Sequence, residues 1–411
     1  MYAMKYNIFN EETNGGIVML AEILGMVKRH EEWRGQECIN LIPSENVMSP
    51  AVRSLLSSEL GHRYTSREKF YMGTKFLDEI ELYGEKVAKA VFGAETADLR
   101  PLSGHVSDWI FLSTFTSPND KVLCISPDCG GYPGLWVNGL AALLRLRAVG
   151  FPFSKEKMNI KIGEAVDVVL RERPKVVVFG ASFFLFPHPV REIASVAREV
   201  GAVIGYDGSH VLGLIAGKEF QLPFKEGVNI LVGSTHKTFF GPQGGIILAD
   251  KEHGERMKEK IEPMFVDNAH WNRIAALTLA CAEMKEFGKE YAKQVIRNAK
   301  RLAKTLSEHG FPVACAELGF TESHQVLLSY GSYEKGLEIA RKLEEANVIA
   351  DCGMRLGTCE VTRRGMKEED MEQIAEFIRR VAIDEEEAEK VKKDVKRFVR
   401  DFNRVEYCFE A

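Results

Sequence analysis

Gly233 to Gly245 reads GSTHKTFFGPQGG. A single lysine, Lys237, stands there between a Thr-His pair and a glycine-rich turn, directly after the short apolar run Val228 to Val232. Upstream, the run Gly201 to Tyr206 ends in Asp207, and His210 follows three residues later. One strand ending in an acid and the next ending in a lone lysine match the needs of pyridoxal phosphate (PLP). The amine joins the aldehyde of the cofactor, and the carboxylate grips the ring nitrogen and keeps the ring an electron sink. Either residue alone would pass for a solvated loop lysine or a helix cap. The pair, with its flanks, points to the cofactor.

Working outward, apolar runs and amphipathic segments alternate. Lys121 to Ser126, Lys175 to Gly180, Gly201 to Tyr206, Val228 to Val232 and Gly245 to Leu248 read as buried strands. Val106 to Phe115, Ala165 to Arg173 and Val190 to Val200 read as helices. Such alternation predicts an α/β fold, a mostly parallel sheet between helices. In such a sheet the ligand lies beyond the carboxyl ends of the strands, where Asp207, Ser182 and Lys237 all fall. Before this region, Ile17 to Trp33 predicts a helical arm, Cys38 to Pro50 a loop, Ser49 and Pro50 a helix start, and Leu77 to Phe92 a helix. Gly61 to Gly73 has no clear period. After Lys251 the pattern changes: Asn272 to Leu306 reads as one long helix. A strand at Gln325 to Ser329, a helix at Lys335 to Ala346, a strand around Met354 and charged helices from Lys367 follow. The expected division is an arm (1–48), a large PLP-binding domain (49–280) and a smaller α/β C-terminal domain (281–411), since one core rarely serves a chain of 411 residues.

The cofactor's phosphate needs a cradle, and Ser103-Gly104 before the helix Val106 to Phe115 would supply backbone N–H groups and a hydroxyl. Tyr132 is the flat side chain available to lie over the ring. Arg355, in the apolar, glycine-bounded run GMRLGT, suits the carboxylate of an amino-acid substrate. Arg363 and Arg364 read as surface or helix-entry charges.

The apolar share is 45% and the charged share 27%, the profile of a soluble globular protein. The net charge of -5 carries no polybasic signature, so nucleic acid is not an expected partner. No apolar run approaches the roughly 18 residues that span a bilayer, and the N-terminus lacks a signal-peptide core. The eight cysteines are scattered without a C-x-x-C pair, so neither a metal site nor a disulfide framework is expected, and reduced thiols in a cytoplasm are.

The stretches NLIPSENVMSP, RPLSG, FGAS, YDGSHVLG, STHKTFFGPQGG, ESH and MRLGTCEVTRRG occur in one order along nearly the whole chain. Together they resemble the serine hydroxymethyltransferase family of fold-type I PLP enzymes. The resemblance implies that Lys237 is the Schiff-base lysine with His236 beside it, and that Asp207 pairs with the ring nitrogen. It places His210 near the ring hydroxyl or the substrate, Ser182 on the ring hydroxyl, and Ser103 and Gly104 on the phosphate. Arg355 with Ser44 would take the substrate carboxylate. Tyr64 matches a tyrosine that reaches the active site of the partner subunit, which implies a homodimer with shared active sites. The implied chemistry is cleavage or formation of the Cα–Cβ bond of a β-hydroxy amino acid.

The chain also departs from that family. Thr65-Ser66 follow Tyr64 where the family has Ala-Glu, in a shorter loop whose nearby carboxylate is Glu68. Tyr132 replaces a stacking histidine, Gln243 an arginine, and Pro263 to Trp271 (PMFVDNAHW) a glycine-rich loop. These changes spare the PLP core and fall on the pterin side, so a tetrahydropterin co-substrate stays open. So do aldolase or transaldolase chemistry without folate, transamination or decarboxylation, and a PLP-binding scaffold without catalysis.

Overall fold

The runs Val176–Phe179, Val203–Asp207 and Ile230–Ser234 lie side by side and parallel, Val178 opposite Gly205 and Asp207 opposite Val232. Nearly all their residues are buried, which is why these strands read as continuous apolar runs and not as alternating ones. On one side the sheet continues in parallel through Lys121–Cys124 to the edge strand Arg147–Gly150. On the other, Gly245–Ala249 runs antiparallel to Ile230–Ser234 and leads to Thr96–Asp98, completing a seven-stranded sheet. The computed structural model describes residues 15–66 and 70–410. Thr96–Asp98 and Arg147–Gly150 carry no apolar run, and sequence pattern therefore passed them over.

Helices flank this sheet. Gly104–Phe115 packs on Ile230–Ser234 and Gly245–Ala249, and the Ser103 hydroxyl caps it by accepting from the Val106 N–H at 3.1 Å. Ser49 caps Pro50–Leu55 in the same way. Within the expected loop before it, Ile39–Asn40 forms a short strand parallel to Val348–Ile349. The helix Trp271–Glu308 runs for 38 residues and serves two apolar clusters. Tyr291, Ala292 and Val295 belong to the cluster around the sheet. Ala299, Leu302 and Leu306 belong to a second cluster with Val326, Leu356 and Ile374. No helix among the described residues is long and apolar enough to cross a membrane.

Arg363 corrects the expectation of a surface charge: its side chain is fully buried, against an equally buried Glu283 at 2.9 Å. Its guanidinium lies 3.7 Å from the centre of the Phe240 ring, and Nη1 donates to the carbonyls of Glu406 and Tyr407. One cation thus ties the C-terminal segment to the long helix and to the loop after Lys237. Arg364 is not free either; it pairs with Glu360 at 3.0 Å. The physical reason is that a guanidinium can be buried where every N–H edge finds an oxygen and one face finds a ring.

Arg363→Met leaves the Glu283 carboxylate alone in the interior and is expected to lower the unfolding free energy by about 3–5 kcal/mol in denaturant titrations. Replacing both partners, Arg363→Met with Glu283→Met, recovers most of that loss. A single variant as stable as the parent would remove this pair from the forces that hold the fold.

Candidate active site

The ends of three parallel strands and one helix start build the site. Asp207 is the last residue of its strand, and Ser182 and Lys237 each follow theirs by three residues. The Lys237 loop is closed by Thr235 and Gly244: the Thr235 N–H donates to the Gly244 carbonyl at 3.1 Å, and the Thr235 hydroxyl to the Pro242 carbonyl at 2.7 Å. Asn46 donates to the Lys237 carbonyl at 2.7 Å and to the Tyr291 hydroxyl at 2.8 Å. The Thr238 hydroxyl accepts from the Gly213 N–H at 2.9 Å. The lysine backbone is therefore fixed from both flanks while its amine is left to the interior.

Burial lowers the pKa of that amine, with Arg355 acting in the same direction; Asp207 and Asp108 oppose them. A neutral, nucleophilic amine is thereby favoured. Asp207 is 8% exposed and accepts from the Ser209 N–H at 2.9 Å. Its approach depends on Gly180, at φ +115, where a Cβ would stand 2.2 Å from the Asp207 carbonyl oxygen. Gly104 lets the helix start close on Ser234, since a Cβ there would lie 2.4 Å from the Ser234 hydroxyl.

Burial keeps the imidazoles neutral. His236 is pushed down to about 4 and His324 to about 3, both chiefly by desolvation, and His210 falls well below its ordinary value by burial and then by Lys237. His210 and His324 stack with ring centres 5.7 Å apart. Tyr132 sits beside the helix start, its hydroxyl 3.2 Å from His105 Nδ1, and burial with Asp108 pushes it up to about 12. Its loop holds Ser182 in place: the Gly130 carbonyl accepts the Ser182 N–H at 2.8 Å.

Arg355 is held on three sides. Nε donates to Asp351 at 2.9 Å, Nη1 to the Ser182 carbonyl at 2.7 Å, and the guanidinium lies 4.5 Å from the Phe183 ring centre. Ser44 follows Pro43, whose Cα would meet a Cβ on Gly357 at 2.4 Å, which places the Ser44 loop against the Arg355 strand. Tyr64 stands apart. It is 43% exposed and donates to Asp267, a bond that pushes its pKa up to about 12. Glu68 lies outside the described residues.

Three side chains at the site went unread in the sequence. Gln325 bridges Ser182 and His210; Asp351 orients Arg355; Asp108 is a buried acid on the apolar helix Gly104–Phe115. An acid within an otherwise apolar helix was a usable signal for Asp108, whereas Gln325 and Asp351 gave none. The Asp108, His236 and His324 side chains each bury a polar atom that has no partner among the described residues. A neutral buried amine, a carboxylate, a helix start that only glycine can close and these orphan polar atoms fit PLP: amine for aldehyde, acid for ring nitrogen, N–H groups for phosphate.

The serine hydroxymethyltransferase family model matches residues 19–378. A serine hydroxymethyltransferase of Methanocaldococcus jannaschii is 45% identical over 93% of this chain and 94% of its own length. One of Thermococcus kodakarensis is 41% identical over 95% of this chain and 96% of its own. Among solved structures, L-threonine transaldolase from Pseudomonas fluorescens superposes with a TM-score of 0.90 at 27% identity, covering 96% of this chain and 94% of that one.

Gly180→Ala is expected to push Asp207 off its place and weaken PLP binding by about tenfold, the equivalent of 1.4 kcal/mol, in a fluorescence titration of cofactor-free protein. Unchanged affinity in a folded variant would mean that the approach of Asp207 to Gly180 is immaterial to the cofactor.

Proposed function

This chain belongs to the serine hydroxymethyltransferase family, and we propose that it makes and breaks the Cα–Cβ bond of a serine- or threonine-like β-hydroxy amino acid with PLP as cofactor. The observation that carries this reading is the meeting, at one sheet edge, of a buried neutral amine, a buried acid and a pinned guanidinium. Bound PLP supplies a sink for the electron pair left on Cα when the bond breaks. The rest falls to the chain. Lys237 holds the cofactor, Asp207 its ring nitrogen, Ser103 and Gly104 its phosphate, Ser182 and His210 its hydroxyl, and Tyr132 a face of the ring, with His236 alongside. Arg355 and Ser44 orient the substrate carboxylate, which aims the bond to be broken.

Tyr64 and Glu68 belong, in this proposal, to the site of a second copy. The exposure of Tyr64 supports it, as do the uncovered apolar side chains of Met19, Leu20, Ile23 and Leu24 on the helix Gly15–Glu32 and of Phe70, Met72 and Phe76 nearer Tyr64. Packing these faces together in a homodimer removes them from water. The proposed division stays an arm (1–48), a large unit (49–280) and a small unit (281–411), and the proposed compartment is the cytoplasm. A pterin-free, transaldolase-like course is the second reading. It is supported by Thr65-Ser66 after Tyr64 and by the likeness to L-threonine transaldolase.

Incubated with serine, threonine or α-methylserine, with and without a tetrahydropterin, the protein is expected to release glycine (alanine from α-methylserine) and an aldehyde. The pterin dependence of serine turnover separates the two readings. Arg355→Ala is expected to raise KM by about 100-fold, the loss of a charge-assisted bond of roughly 3 kcal/mol, with PLP retained. Absence of cleavage under every condition, or borohydride labelling of a peptide other than that of Lys237, would overturn the proposal.

A further inference from the structure

Gln325 is fully buried at the head of the strand Gln325–Leu327 and uses its whole amide. Its Oε1 accepts the Phe184 N–H at 2.9 Å. Its Nε2 lies 3.0 Å from the Ser182 carbonyl and 3.0 Å from His210 Nδ1. The Phe184 N–H can only donate and the Ser182 carbonyl can only accept, so the amide has one orientation that satisfies both. An amide nitrogen only donates, and His210 Nδ1 must therefore accept. The ring proton is left on Nε2.

We propose that Gln325 is a positioning residue that locks His210 in the tautomer protonated on Nε2, so that His210 meets its ligand as a hydrogen-bond donor and never as a base. The role at the ligand rests on the site reading above; the tautomer does not. A second proton on Nδ1 would face the amide NH₂ of Gln325. The other groups around His210 also oppose it: Lys237, His324, Arg355 and His236 each disfavour added positive charge there, and burial does so more strongly. His324, stacked on His210, holds its own Nε2 3.1 Å from the Pro43 carbonyl, so it too is protonated on Nε2 and adds no acceptor on that edge. Val326, next along the strand, packs in the second apolar cluster, so the proton position on His210 depends on how that cluster docks against the sheet. Of the neutral imidazoles, His236 keeps an unpartnered Nδ1, and proton acceptance falls to it or to Lys237.

The test is nitrogen NMR of histidine-labelled protein, cofactor-free and PLP-loaded, with the His210 signals assigned by their loss in His210→Asn. A pyridine-like Nδ1 and a pyrrole-like Nε2, unchanged between pH 5.5 and 8.5, are expected for the parent. Gln325→Glu keeps an acceptor for Phe184 and presents an oxygen to Nδ1. The proton is then expected to move to Nδ1 and the ring to titrate in that range, with kcat down at least tenfold and KM within threefold. Gln325→Met, which bonds neither partner, is expected to show both tautomers, and it serves if the glutamate variant does not fold. A protonated Nδ1 in the parent overturns the proposal, as does a His210 spectrum indifferent to both substitutions. If the parent cleaves no amino acid yet shows the expected shifts, the functional reading fails and the tautomer assignment survives.

Discussion

A lysine amine taken out of water beside a single acid is the constraint on which the rest of this molecule depends. Desolvation alone would discharge it, and the nearest carboxylates, Asp207 and Asp108, recover only part of the lost charge stabilisation. A group so placed is held ready to react, which is seldom a useful state for a purely structural lysine. It can be maintained only if the backbone on each side is immobile. That is the service of the closed Thr235–Gly244 turn, of Asn46 on the Lys237 carbonyl and of the Thr238 hydroxyl against Gly213.

The same economy of buried polar groups governs how the two apolar clusters are joined. Arg363 spends its donors on Glu283 and two carbonyls and its face on Phe240, so a charge in the interior leaves few edges unmet. Gln325 and Arg355 do likewise where the second cluster meets the sheet, and both converge on the Ser182 carbonyl. Ser182 is thereby a junction: its N–H is held by the Gly130 loop, its carbonyl by two donors of the second cluster, and its side chain stays beside the site. A shift of the second cluster would be felt there first, because polar contacts in a dry interior have short reach and steep distance dependence.

Much of the architecture was legible in advance. The fully buried strands were visible as apolar runs, the long helix as a sustained 3.6-residue period, and the caps at Ser49 and Ser103 as serines just ahead of a helical segment. The two strands without such runs were not visible. Thr96–Asp98 owes its place to the antiparallel Gly245–Ala249 beside it, and Arg147–Gly150 is a half-exposed edge, so neither needs apolar residues. Arg363 was misread for a related reason. A cation is charged in any sequence, and only its neighbours decide whether it is solvated.

By itself, then, the chain of residues determined the alternating α/β plan, the acid and the lysine at successive strand ends, and the family motifs around them. All of these are local in sequence: a period, a strand terminus, a run of consecutive residues. Only the tertiary structure decided that Glu283 neutralises Arg363, that Asp351 and Ser182 aim Arg355, and that Gln325 dictates where His210 carries its proton. Most of those relations join residues far apart along the chain, and all are set by distance and by the direction of a lone pair. No pattern of residue types encodes either quantity, which comes into being when the segments pack.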